Sequence, residues 1–272
     1  MKLGIIILSW NSENRIINCL DSIYKFYKNP NIYLVDNNSK DRSVELIKKH
    51  YPEINLILSN SNLGFSGGNN LGFVHALKDG CDYVLLLNDD VIVLEDFISP
   101  LIIEMENDKT IGSIGPVVVE NYDRNIIQSA GGNINLITLD MGYLNKGENY
   151  KKINKIKNVG YVLGAAVFIR TSLFKNSFLF DPHFYPAYVE EVDLSYRIKK
   201  MGYTNKVSHN YKIAHIGSLS SSNYSITYRR ILNNKFLFAI KHLSVINIFF
   251  SVNFLLLKFF INILLKKINR NL

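Results

Sequence analysis

The chain opens with a regular alternation of short apolar runs and polar stretches. Apolar runs at 3–8, 32–35, 54–58 and 83–87 have the length of strands that are buried on both faces. Between them, apolar residues recur every three or four positions, as on one face of a helix. Repeated strand, helix and strand units with short links predict an α/β fold, doubly wound around a mostly parallel central sheet.

The second half of the pattern is less regular. A strand is predicted at 111–119, and a strand-like run at 159–170 has the small residues Gly164, Ala165 and Ala166 at its centre. Residues 128–157 are polar and rich in glycine and lysine, and we interpret them as an insertion or hairpin over the edge of the sheet. A helix is predicted to open at Tyr188.

Polar clusters follow three of the predicted strands. Asp36 follows the second strand, a segment rich in glycine and asparagine at 60–70 follows the third, and Asn88-Asp89-Asp90 follow the fourth. The carboxyl ends of parallel strands share one edge of a sheet, where such folds bind ligands, so these clusters are expected to converge. Adjacent carboxylates with an amide suit a divalent ion that holds phosphates, although a solvated turn explains them equally well.

The segment at 60–70 has two interpretations. Gly64, Gly67 and Gly68 allow close approach of a ligand to the backbone, and a helix predicted at 71–79 offers its N-terminus to an anion. A plain turn is the alternative. Together with the neighbouring clusters, the segment favours a nucleotide-phosphate crevice.

Two further groups of residues are candidates for chemistry. Glu190, Glu191 and Asp193 lie at the start of the predicted helix, where acidic residues match the helix dipole and where one carboxylate could serve as a general base. His215 ends a predicted strand, where it is either structural or a ligand of a metal ion or phosphate.

Taken in order, these stretches resemble the family 2 glycosyltransferases with the GT-A fold, in particular the bacterial rhamnosyltransferase-like branch. The matching stretches are Val35-Asp36-Asn37-Asn38-Ser39, Asn62 to Asn70, Leu86-Leu87-Asn88-Asp89-Asp90, Gly164-Ala165-Ala166, Glu190 to Leu194 with Arg197, and His215-Ile216-Gly217-Ser218. The similarity covers about residues 3 to 235, and the ordered series is more specific than any single motif.

The resemblance implies a role for each matching residue. Asp36 would contact the nucleoside of the donor, and Asp90 would bind Mg²⁺ or Mn²⁺ together with His215, although Asn88 replaces the first aspartate of the family's DxD motif. Glu191 takes the place of the proposed base, where the family usually has aspartate, and Asp193 is the alternative base. The donor-binding residues implied are Ser9, Asn11, Asp36, Asn38, Asn62, Gly64, Gly67, Asn70, Asn88 and Asp89.

The implied activity is inverting transfer of a sugar from a UDP- or dTDP-sugar to a hydroxyl of a growing cell-surface glycan, with an acceptor that is lipid-linked. A noncatalytic, membrane-tethered binding or partner subunit with the same fold is the alternative, because Glu191 and Asn88 depart from the family pattern. A nucleotidyltransferase is disfavoured, because residues 8–12 lack a Gly/Arg/Lys loop that grips phosphate.

Charge and composition add a prediction about the C-terminal part of the chain. All 23 Asp and Glu residues lie within 1–193, whereas 13 of the 31 Lys and Arg residues follow, so the C-terminal part favours an anionic partner. The basic residues accompany a long apolar segment at 243–265, which favours an anionic membrane surface over nucleic acid. Cys19 and Cys81 lie inside apolar patterns, which indicates a reducing compartment.

The segment at 243–265 is about long enough to span a bilayer, but Lys258 near its middle disfavours insertion. Its polar residues fall on one helical stripe, and we interpret it as an amphipathic helix that lies in the membrane plane. They are Ser244, Asn247, Ser251, Lys258, Asn262 and Asn269. Packing on the catalytic domain or on a partner is the alternative, and a homo-oligomer is possible.

The sequence therefore predicts a catalytic domain at 1–235 and a helical membrane-associating segment at 236–272. The N-terminus is expected to form the first buried strand, because its apolar core is too short for a signal peptide. The predicted location is cytoplasmic, peripheral to the cytoplasmic face of the inner membrane.

Overall fold

The structure is a computed structural model that describes residues 1–153, 158–217, 224–251 and 253–254. Within these ranges ten strands form one sheet. The strands are β1 (Leu3–Ser9), β2 (Ile32–Asp36), β3 (Asn55–Leu58), β4 (Tyr83–Asn88), β5 (Val91–Val93), β6 (Ile111–Glu120), β7 (Ile127–Ser129), β8 (Asn158–Val159), β9 (Ala166–Arg170) and β10 (Thr204–His215). The helices are α1 (Ile16–Tyr24), α2 (Ser43–His50), α3 (Gly64–Lys78), α4 (Ile98–Asn107), α5 (Glu190–Lys200) and α6 (Tyr224–His242).

The sheet is mostly parallel, as predicted. Its main order is β3-β2-β1-β4-β9-β6-β10-β5, and β7 and β8 pair with β6 and β10. Strands β3, β2, β1 and β4 are parallel to one another, and β6 and β10 run in the same direction because the antiparallel β9 lies between β4 and β6. The carboxyl ends of these six strands therefore meet at one edge, where the predicted site residues lie.

Helices cover both faces of the sheet, because its central strands are apolar on both sides. In β1, Ile5 and Ile7 belong to a buried cluster with residues of α1 and α4, whereas Ile6 belongs to a second cluster with residues of α3 and α5. This alternation follows from the two-residue repeat of a strand. The result is a three-layer α/β domain whose rigid centre supports the carboxyl edge of the sheet.

Two boundaries differ from the sequence predictions. Helix α3 begins at Gly64 rather than at residue 71, so the glycine-rich segment forms the first turns of the helix. The predicted strand at 159–170 is divided, because β8 ends at Val159 and β9 begins only at Ala166. Gly164 and Ala165 lie in the connection and line the cavity described below.

Helix α6 packs on the α/β domain. Its residues Phe238 and Ala239 are fully buried in a cluster with Phe184 and Val192. The predicted domain boundary at residue 235 falls inside this continuous helix. Residues up to His242 are therefore part of the structure that holds α5.

The chain after α6 continues in helical conformation at 245–251. Ser251 is fully buried and donates a hydrogen bond to the carbonyl oxygen of Leu136, whereas Ile246, Phe249 and Phe250 are more than half exposed. The polar stripe predicted for this helix thus does not face water throughout, since Ser251 is turned toward Leu136 of the α/β domain. The stripe residues Lys258, Asn262 and Asn269 lie outside the described residues. Ser218, from the stretch that begins at His215, also lies outside them.

In the part of the chain that the structure describes, no helix combines the length and apolar character that a membrane crossing requires.

Candidate active site

The sheet register brings the predicted strand-end residues side by side. Ser9 pairs with Asp36 on β2, and the preceding Leu8 pairs with Asn88 on β4. On the other half of the sheet, His215 at the end of β10 pairs with Val91 on one side and Glu120 on the other. The backbone pairing alone therefore aligns the polar ends of β1, β2, β4, β6 and β10 along one edge.

Three of the predicted catalytic and metal-binding residues line one cavity of about 360 Å³. Asp90, His215 and Glu191 lie in its wall, together with Asn88 and Glu190. We call this space the carboxylate cavity. Asp36 does not line it, because β1 separates β2 from β4, and two strand spacings put Asp36 roughly 10 Å from Asn88. The cavity thus joins the candidate base to the candidate metal ligands and leaves Asp36 further along the same edge.

Asp90 and His215 lie side by side in the wall of this cavity. The His215 Nε2 atom lies 3.0 Å from Asp90 Oδ1, and both side chains are about 15% exposed. The main chain fixes the pair, because the Ile216 amide donates to the Asp90 carbonyl oxygen over 3.1 Å. Two ligand atoms at this separation can face one ion from the same side.

The donor set fits a divalent ion that is also held by a substrate. Among the described residues, no group of three or more His, Cys, Asp or Glu side chains could enclose a metal ion. Mg²⁺ and Mn²⁺ at phosphate-transfer sites commonly take only one or two protein ligands and complete their shell with water and diphosphate oxygens. A carboxylate oxygen of Asp90 with an imidazole nitrogen of His215 meets that requirement.

Glu190 and Glu191 enter the cavity from a strained turn. Tyr188 and Val189, which directly precede α5, have φ values of 85° and 74°. Left-handed backbone is an outlier for a β-branched residue such as Val189, and strain of this kind costs on the order of 1–3 kcal/mol. The turn sets the direction in which α5 begins, and its first two carboxylates line the same cavity as Asp90 and His215.

The two glutamates differ in burial. Glu190 is 4% exposed, and its Oε2 atom is buried with no hydrogen-bond partner among the described residues. Burial, reinforced by the charge of Glu191, raises the pKa of Glu190 well above its usual value. Burial also raises the pKa of Glu191, to a lesser degree. Glu191 is only partly buried, so its carboxyl is the more accessible of the two from the cavity.

Asp193 is not available as a base, which corrects its assignment as the alternative. Its side chain is fully buried outside the cavity, where Oδ1 accepts from Lys241 Nζ and His242 Nε2 at 2.7 Å and Oδ2 accepts from Arg197 Nε at 2.7 Å. Burial opposes ionisation, but the hydrogen bond from His242 and the charges of Arg197 and Lys241 prevail and lower the pKa of Asp193 to about 2. This carboxylate joins α5 to α6.

Asp89, which was expected to bind the donor substrate, is hydrogen-bonded within the protein instead. Arg15 binds its carboxylate with two hydrogen bonds, from Nε at 3.0 Å and from Nη2 at 3.2 Å. Burial raises the pKa of Asp89, and the Arg15 charge partly offsets that rise. Asp89 thus anchors α1 to the end of β4, while its neighbour Asp90 remains in the cavity wall.

The glycine-rich segment serves packing in this structure. Gly64 has φ of 69°, and a side chain there would lie 2.7 Å from the Pro186 carbonyl oxygen. Gly68 brings α3 against Leu8 of β1, because a Cβ atom would lie 2.2 Å from Leu8 Cδ1. Gly67 lies within α3 and faces Leu63, so it forms no loop around a phosphate.

The two asparagines of this segment are also committed to protein contacts. Asn62 Oδ1 accepts from the Gly64 amide at 2.8 Å and from Asn37 Nδ2 at 3.1 Å. Asn70 exchanges two hydrogen bonds of 2.8 Å with the main chain of Phe180. These contacts shape the N-terminal part of α3, which corrects the expectation that Asn70 faces a ligand.

The residues assigned to the nucleoside lie at the ends of β1 and β2. Asp36 is 4% exposed and accepts from the Ser39 amide with Oδ2, whereas its buried Oδ1 atom has no partner among the described residues. Ser9 is buried and bonded to the Ser12 hydroxyl. Asn11 and Asn38 hold the next turn through Lys40, by accepting from its main-chain amide and from its Nζ atom. A buried acceptor without a donor is rare, so Asp36 Oδ1 is the atom here that points to a ligand.

Sequence patterns missed several residues of the cavity wall. Tyr143 and Lys146 come from the irregular segment that follows β7, and Gln128 comes from β7 itself. Gln128 Oε1 accepts from His215 Nδ1 at 2.6 Å. The segment was expected to cover the crevice, but its composition did not distinguish the side chains that do so. Residues 154–157 of this segment lie outside the described residues.

A larger cavity of about 480 Å³ lies at the opposite edge of the sheet, beside Tyr83 and Arg170. Its polar groups bind one another, since Tyr83 donates to Glu106 and Arg170 donates to Tyr83 and to the Met105 carbonyl oxygen. The carboxylate cavity, with its partnerless Glu190 oxygen and its facing Asp90 and His215, is the better candidate for chemistry.

The fold and the carboxylate cavity define an α/β protein with a polar crevice at the carboxyl edge of its sheet, the arrangement of nucleotide-dependent enzymes. A model of glycosyl transferase family 2 matches residues 4–178, which is more than half of the chain. The chain belongs to this family. None of the curated proteins searched matches it.

Solved structures show that the fold is GT-A. GalNAc-T7 with UDP, GalNAc and Mn²⁺ is similar with a TM-score of 0.62 and 18% identity, over 79% of this chain and 44% of that chain. S. aureus TarS 1-349 in complex with UDP-GlcNAc is similar with a TM-score of 0.61 and 17% identity, over 94% and 72%. The mannosyltransferase PcManGT from Pyrobaculum calidifontis with GDP-Man and Mn²⁺ has a TM-score of 0.60 and 16% identity, over 89% and 65%. The chain thus spans less than half the length of the GalNAc-T7 structure.

Proposed function

We propose that the protein is a metal-dependent, inverting glycosyltransferase that transfers a sugar from a UDP- or dTDP-sugar to a hydroxyl of a growing cell-surface glycan, with a lipid-linked acceptor. The observation that carries the proposal is that Glu191, Asp90 and His215 line one cavity. Family membership supports the reaction class. The UDP, UDP-GlcNAc and GDP-Man in the names of similar structures support a nucleotide-linked donor.

The proposed mechanism assigns a separate task to each part of the cavity. Asp90 and His215 would hold Mg²⁺ or Mn²⁺ against the diphosphate of the donor, and the ion, when bound, supplies positive charge for the leaving group. Glu191 accepts the proton of the acceptor hydroxyl. The hydroxyl oxygen forms a bond to the anomeric carbon as the bond to the diphosphate breaks, and the electron pair leaves with the nucleoside diphosphate. A single displacement of this kind inverts the anomeric configuration.

The difference between the two glutamates supports Glu191 as the base. A base must be ionised and within reach of its substrate; Glu190 is 4% exposed and burial raises its pKa, whereas Glu191 is only partly buried. Glutamate is one methylene longer than the aspartate that the family usually has at this position. The left-handed turn at Tyr188 and Val189 sets where that longer side chain reaches.

The partnerless Oδ1 atom of Asp36 supports a nucleoside site further along the same edge. A buried carboxylate oxygen needs a hydrogen-bond donor, and the hydroxyls of a ribose or the imide N–H of a uracil or thymine base can supply one. The diphosphate would then run from Asp36 toward Asp90, roughly along the strand ends. Donor recognition is thus divided between the nucleoside at the end of β2 and the ion beside the turn that joins β4 to β5.

We further propose that the C-terminal part attaches the enzyme to the cytoplasmic face of the inner membrane. Val245, Ile246, Phe249 and Phe250 are 57–83% exposed in the helical stretch that follows α6. The part of the chain after residue 193 has 13 basic residues and no acidic ones. Apolar side chains with basic neighbours suit a surface of anionic lipid, and an acceptor on a lipid carrier fits this location.

Replacement of Glu191 tests the reaction. Glu191→Gln keeps the shape of the side chain but removes the base, so we expect transfer to fall by about 100- to 10,000-fold while donor affinity stays near that of the wild type. Glu45→Gln, on the exposed surface of α2, is the matched control. Full turnover by Glu191→Gln would reject the assignment of the base. Donor binding by the wild type without transfer or hydrolysis would instead favour a noncatalytic subunit.

The nucleotide is best identified by a thermal-shift panel of UDP- and dTDP-sugars with Mn²⁺. A ligand that binds only the folded protein stabilises it by about 2.7 kcal/mol at 100 times its dissociation constant. Stabilisation by one nucleotide series identifies the donor class. Rhamnose is the first sugar to test within it.

A further inference from the structure

One side chain of the cavity wall bridges a carboxylate and the candidate metal-binding histidine. Gln128 Nε2 donates to Glu120 Oε2 at 3.3 Å, and Gln128 Oε1 accepts from His215 Nδ1 at 2.6 Å. On the other side of the imidazole ring, Nε2 faces Asp90 Oδ1 at 3.0 Å. The four side chains thus form a chain from Glu120 to Asp90.

We propose that Gln128 is a positioning residue that fixes the tautomer and ring orientation of His215, so that the lone pair of Nε2 faces the divalent ion beside Asp90. This inference rests on the proposed function, because it takes the Asp90–His215 pair as the metal ligands. In this role Gln128 acts on the ion through His215.

The orientation of the Gln128 amide follows from its neighbours. The ionised carboxylate of Glu120 can only accept hydrogen bonds, so the amide nitrogen of Gln128 must face it. The amide oxygen is then the atom that faces His215, and it can only accept. Nδ1 of His215 must therefore carry a hydrogen, so that with an ion between Nε2 and Asp90 the lone pair of Nε2 faces that ion.

A bulge in β7 aims Gln128 at this position. Ile127 and Ser129 pair with the consecutive residues Val119 and Val118 of β6, so Gln128 is an extra residue in the ladder. Bulges of this kind redirect a side chain and are frequent beside active sites. The parallel pairing of His215 with Glu120 brings the ends of β6, β7 and β10 together around the same amide. The backbone thus fixes both partners of Gln128.

The expected consequence is a stronger metal site. A histidine that binds a metal ion nearly always donates its other N–H to a carboxylate, carbonyl or water, and removal of such a partner lowers metal affinity by about 10- to 100-fold. Here the partner is an amide oxygen whose orientation a carboxylate enforces. Without it, the His215 ring can turn and present Nδ1 or its N–H to the ion.

The test measures Mn²⁺ affinity by calorimetry in the presence of UDP, with the full-length wild type and the variants Gln128→Met and His215→Ala. Methionine fills a similar volume but accepts no comparable hydrogen bond, so we expect Gln128→Met to weaken Mn²⁺ binding by about 10- to 100-fold. If His215→Ala binds Mn²⁺ as the wild type does, the metal assignment of the proposed function fails. If only Gln128→Met binds as the wild type does, the role of Gln128 fails.

A variant with exchanged polarity separates positioning from packing. Glu120→Gln together with Gln128→Glu puts a carboxylate against His215 Nδ1 and an amide donor at residue 120, so the accepted hydrogen bond is kept. We expect this double variant to regain most of the Mn²⁺ affinity that Gln128→Met loses. A double variant as weak as Gln128→Met would overturn the inference.

The tautomer gives a second readout that does not depend on a measured affinity. Nitrogen-detected NMR of the histidine side chains, in the presence of UDP and the diamagnetic ion Mg²⁺, should show the proton of His215 on Nδ1 in the wild type and a mixture of tautomers in Gln128→Met. Assignment follows from the signal that disappears in His215→Ala. A neutral ring with its proton on Nε2 in the wild type would contradict the proposal.

Discussion

Asn234 of α6 donates its side-chain amide to the main-chain carbonyl oxygen of Tyr188 at 2.8 Å, and to that of Ala187 at 3.1 Å. Tyr188 is the first residue of the left-handed turn that aims Glu190 and Glu191 into the carboxylate cavity. Asn234 is 6% exposed, so these hydrogen bonds are made away from water. A helix that crosses the predicted domain boundary at residue 235 thus holds the backbone that presents the candidate base.

Replacement of Asn234 should therefore change catalysis more than donor binding. Asn234→Ala removes both hydrogen bonds and lets the strained turn relax. A displacement of Glu191 by about 1 Å can lower the rate by about 100-fold. We expect kcat to fall by up to about that factor while the dissociation constant of the donor stays within a few-fold, as measured by steady-state kinetics and calorimetry.

Asn233→Ala is the matched control, because Asn233 is the exposed neighbour on the same helix. Its kinetics should equal those of the wild type. Equal kcat values for the two variants, once corrected for the folded fraction, would show that Asn234 does not position the base.

Asp193 should contribute to stability rather than to proton transfer. Its folded-state pKa of about 2 lies below the ordinary value of 3.8, so its contribution of about 2 kcal/mol is present above pH 4 and is lost as the pH falls through 2. Asp193→Asn also leaves Lys241 and Arg197 without their shared carboxylate, and the loss of one partner of a buried ion pair costs about 3–5 kcal/mol. Urea unfolding at neutral pH should show this loss.

The pH dependence distinguishes this mechanism from a packing defect. The difference in unfolding free energy between the wild type and Asp193→Asn should narrow as the pH is lowered from 6 toward 3. Asp82→Asn, at an exposed carboxylate, provides the control and should differ little from the wild type at any pH. A constant difference across this range would indicate that the charge of Asp193 is not the cause.

The rate of transfer should have an acidic limb that is set by Glu191. Because burial raises the pKa of this carboxyl above 4.5, and because the base acts only when ionised, kcat should rise with pH through a midpoint above 4.5. The measurement is kcat against pH at saturating donor, acceptor and Mn²⁺. The residual rate of Glu191→Gln should lack this limb. A limb that persists unchanged in Glu191→Gln would assign it to another group.

The sequence predicts the position of a site residue when the end of a parallel strand alone fixes it, and not when the order of strands or a tertiary contact decides it. Asp90, Glu191 and His215 were predicted correctly to meet at one cavity, because parallel strands bring their carboxyl ends to one edge whatever the details of packing. The prediction that Asp36 shares this cavity was wrong, because the order of strands places β1 between β2 and β4. Periodicity identifies strands but not their order in the sheet.

The remaining errors have a common physical origin in tertiary contacts. Gly67 and Gly68 indicate a loop by local propensity, since glycine disfavours a helix interior, but Gly68 lets α3 approach Leu8 at a distance that no side chain would permit. Gln128 and Asn234 are single polar residues with ordinary neighbours in sequence. Their roles arise from a bulge and from helix packing, which no local pattern encodes.

Asp90 should govern the part of donor binding that depends on metal. Asp90→Ala removes the carboxylate ligand while His215 remains, so Mn²⁺ should no longer strengthen the binding of UDP. We expect the Mn²⁺-dependent gain in UDP affinity to fall by more than about 10-fold. The loss of a side chain that only hydrogen-bonds to a metal ligand already lowers metal affinity by that much. Calorimetry of UDP with and without Mn²⁺ measures it, with Asp82→Ala at the opposite edge of the sheet as the control. If Asp90→Ala keeps the same Mn²⁺-dependent gain in UDP affinity, the metal site does not include Asp90.

Attachment to membranes should depend on the apolar face that follows α6. Truncation of residues 243–272 should release the protein, but it also removes Ile248 and Ser251, which contact the catalytic domain. Serine at Val245, Ile246, Phe249 and Phe250 keeps those contacts and removes the exposed apolar area. A fully buried side chain of this size contributes about 1.5–3 kcal/mol, so even partial burial of four of them in lipid accounts for several powers of ten in partitioning.

The measurement is sedimentation with vesicles that contain anionic lipid. We expect the wild type to sediment and the four-serine variant to remain in the supernatant, because the basic residues alone bind lipid only weakly and the binding that remains is lost as salt is added. Serine at Ile103, Tyr122 and Phe178 is the matched control, since these side chains are 58–83% exposed elsewhere on the surface. If the four-serine variant sediments as much as the wild type, the lipid contact lies on another part of the molecule. If both the four-serine variant and the control variant stay in the supernatant, membrane binding depends on the total exposed apolar area and not on the face that follows α6.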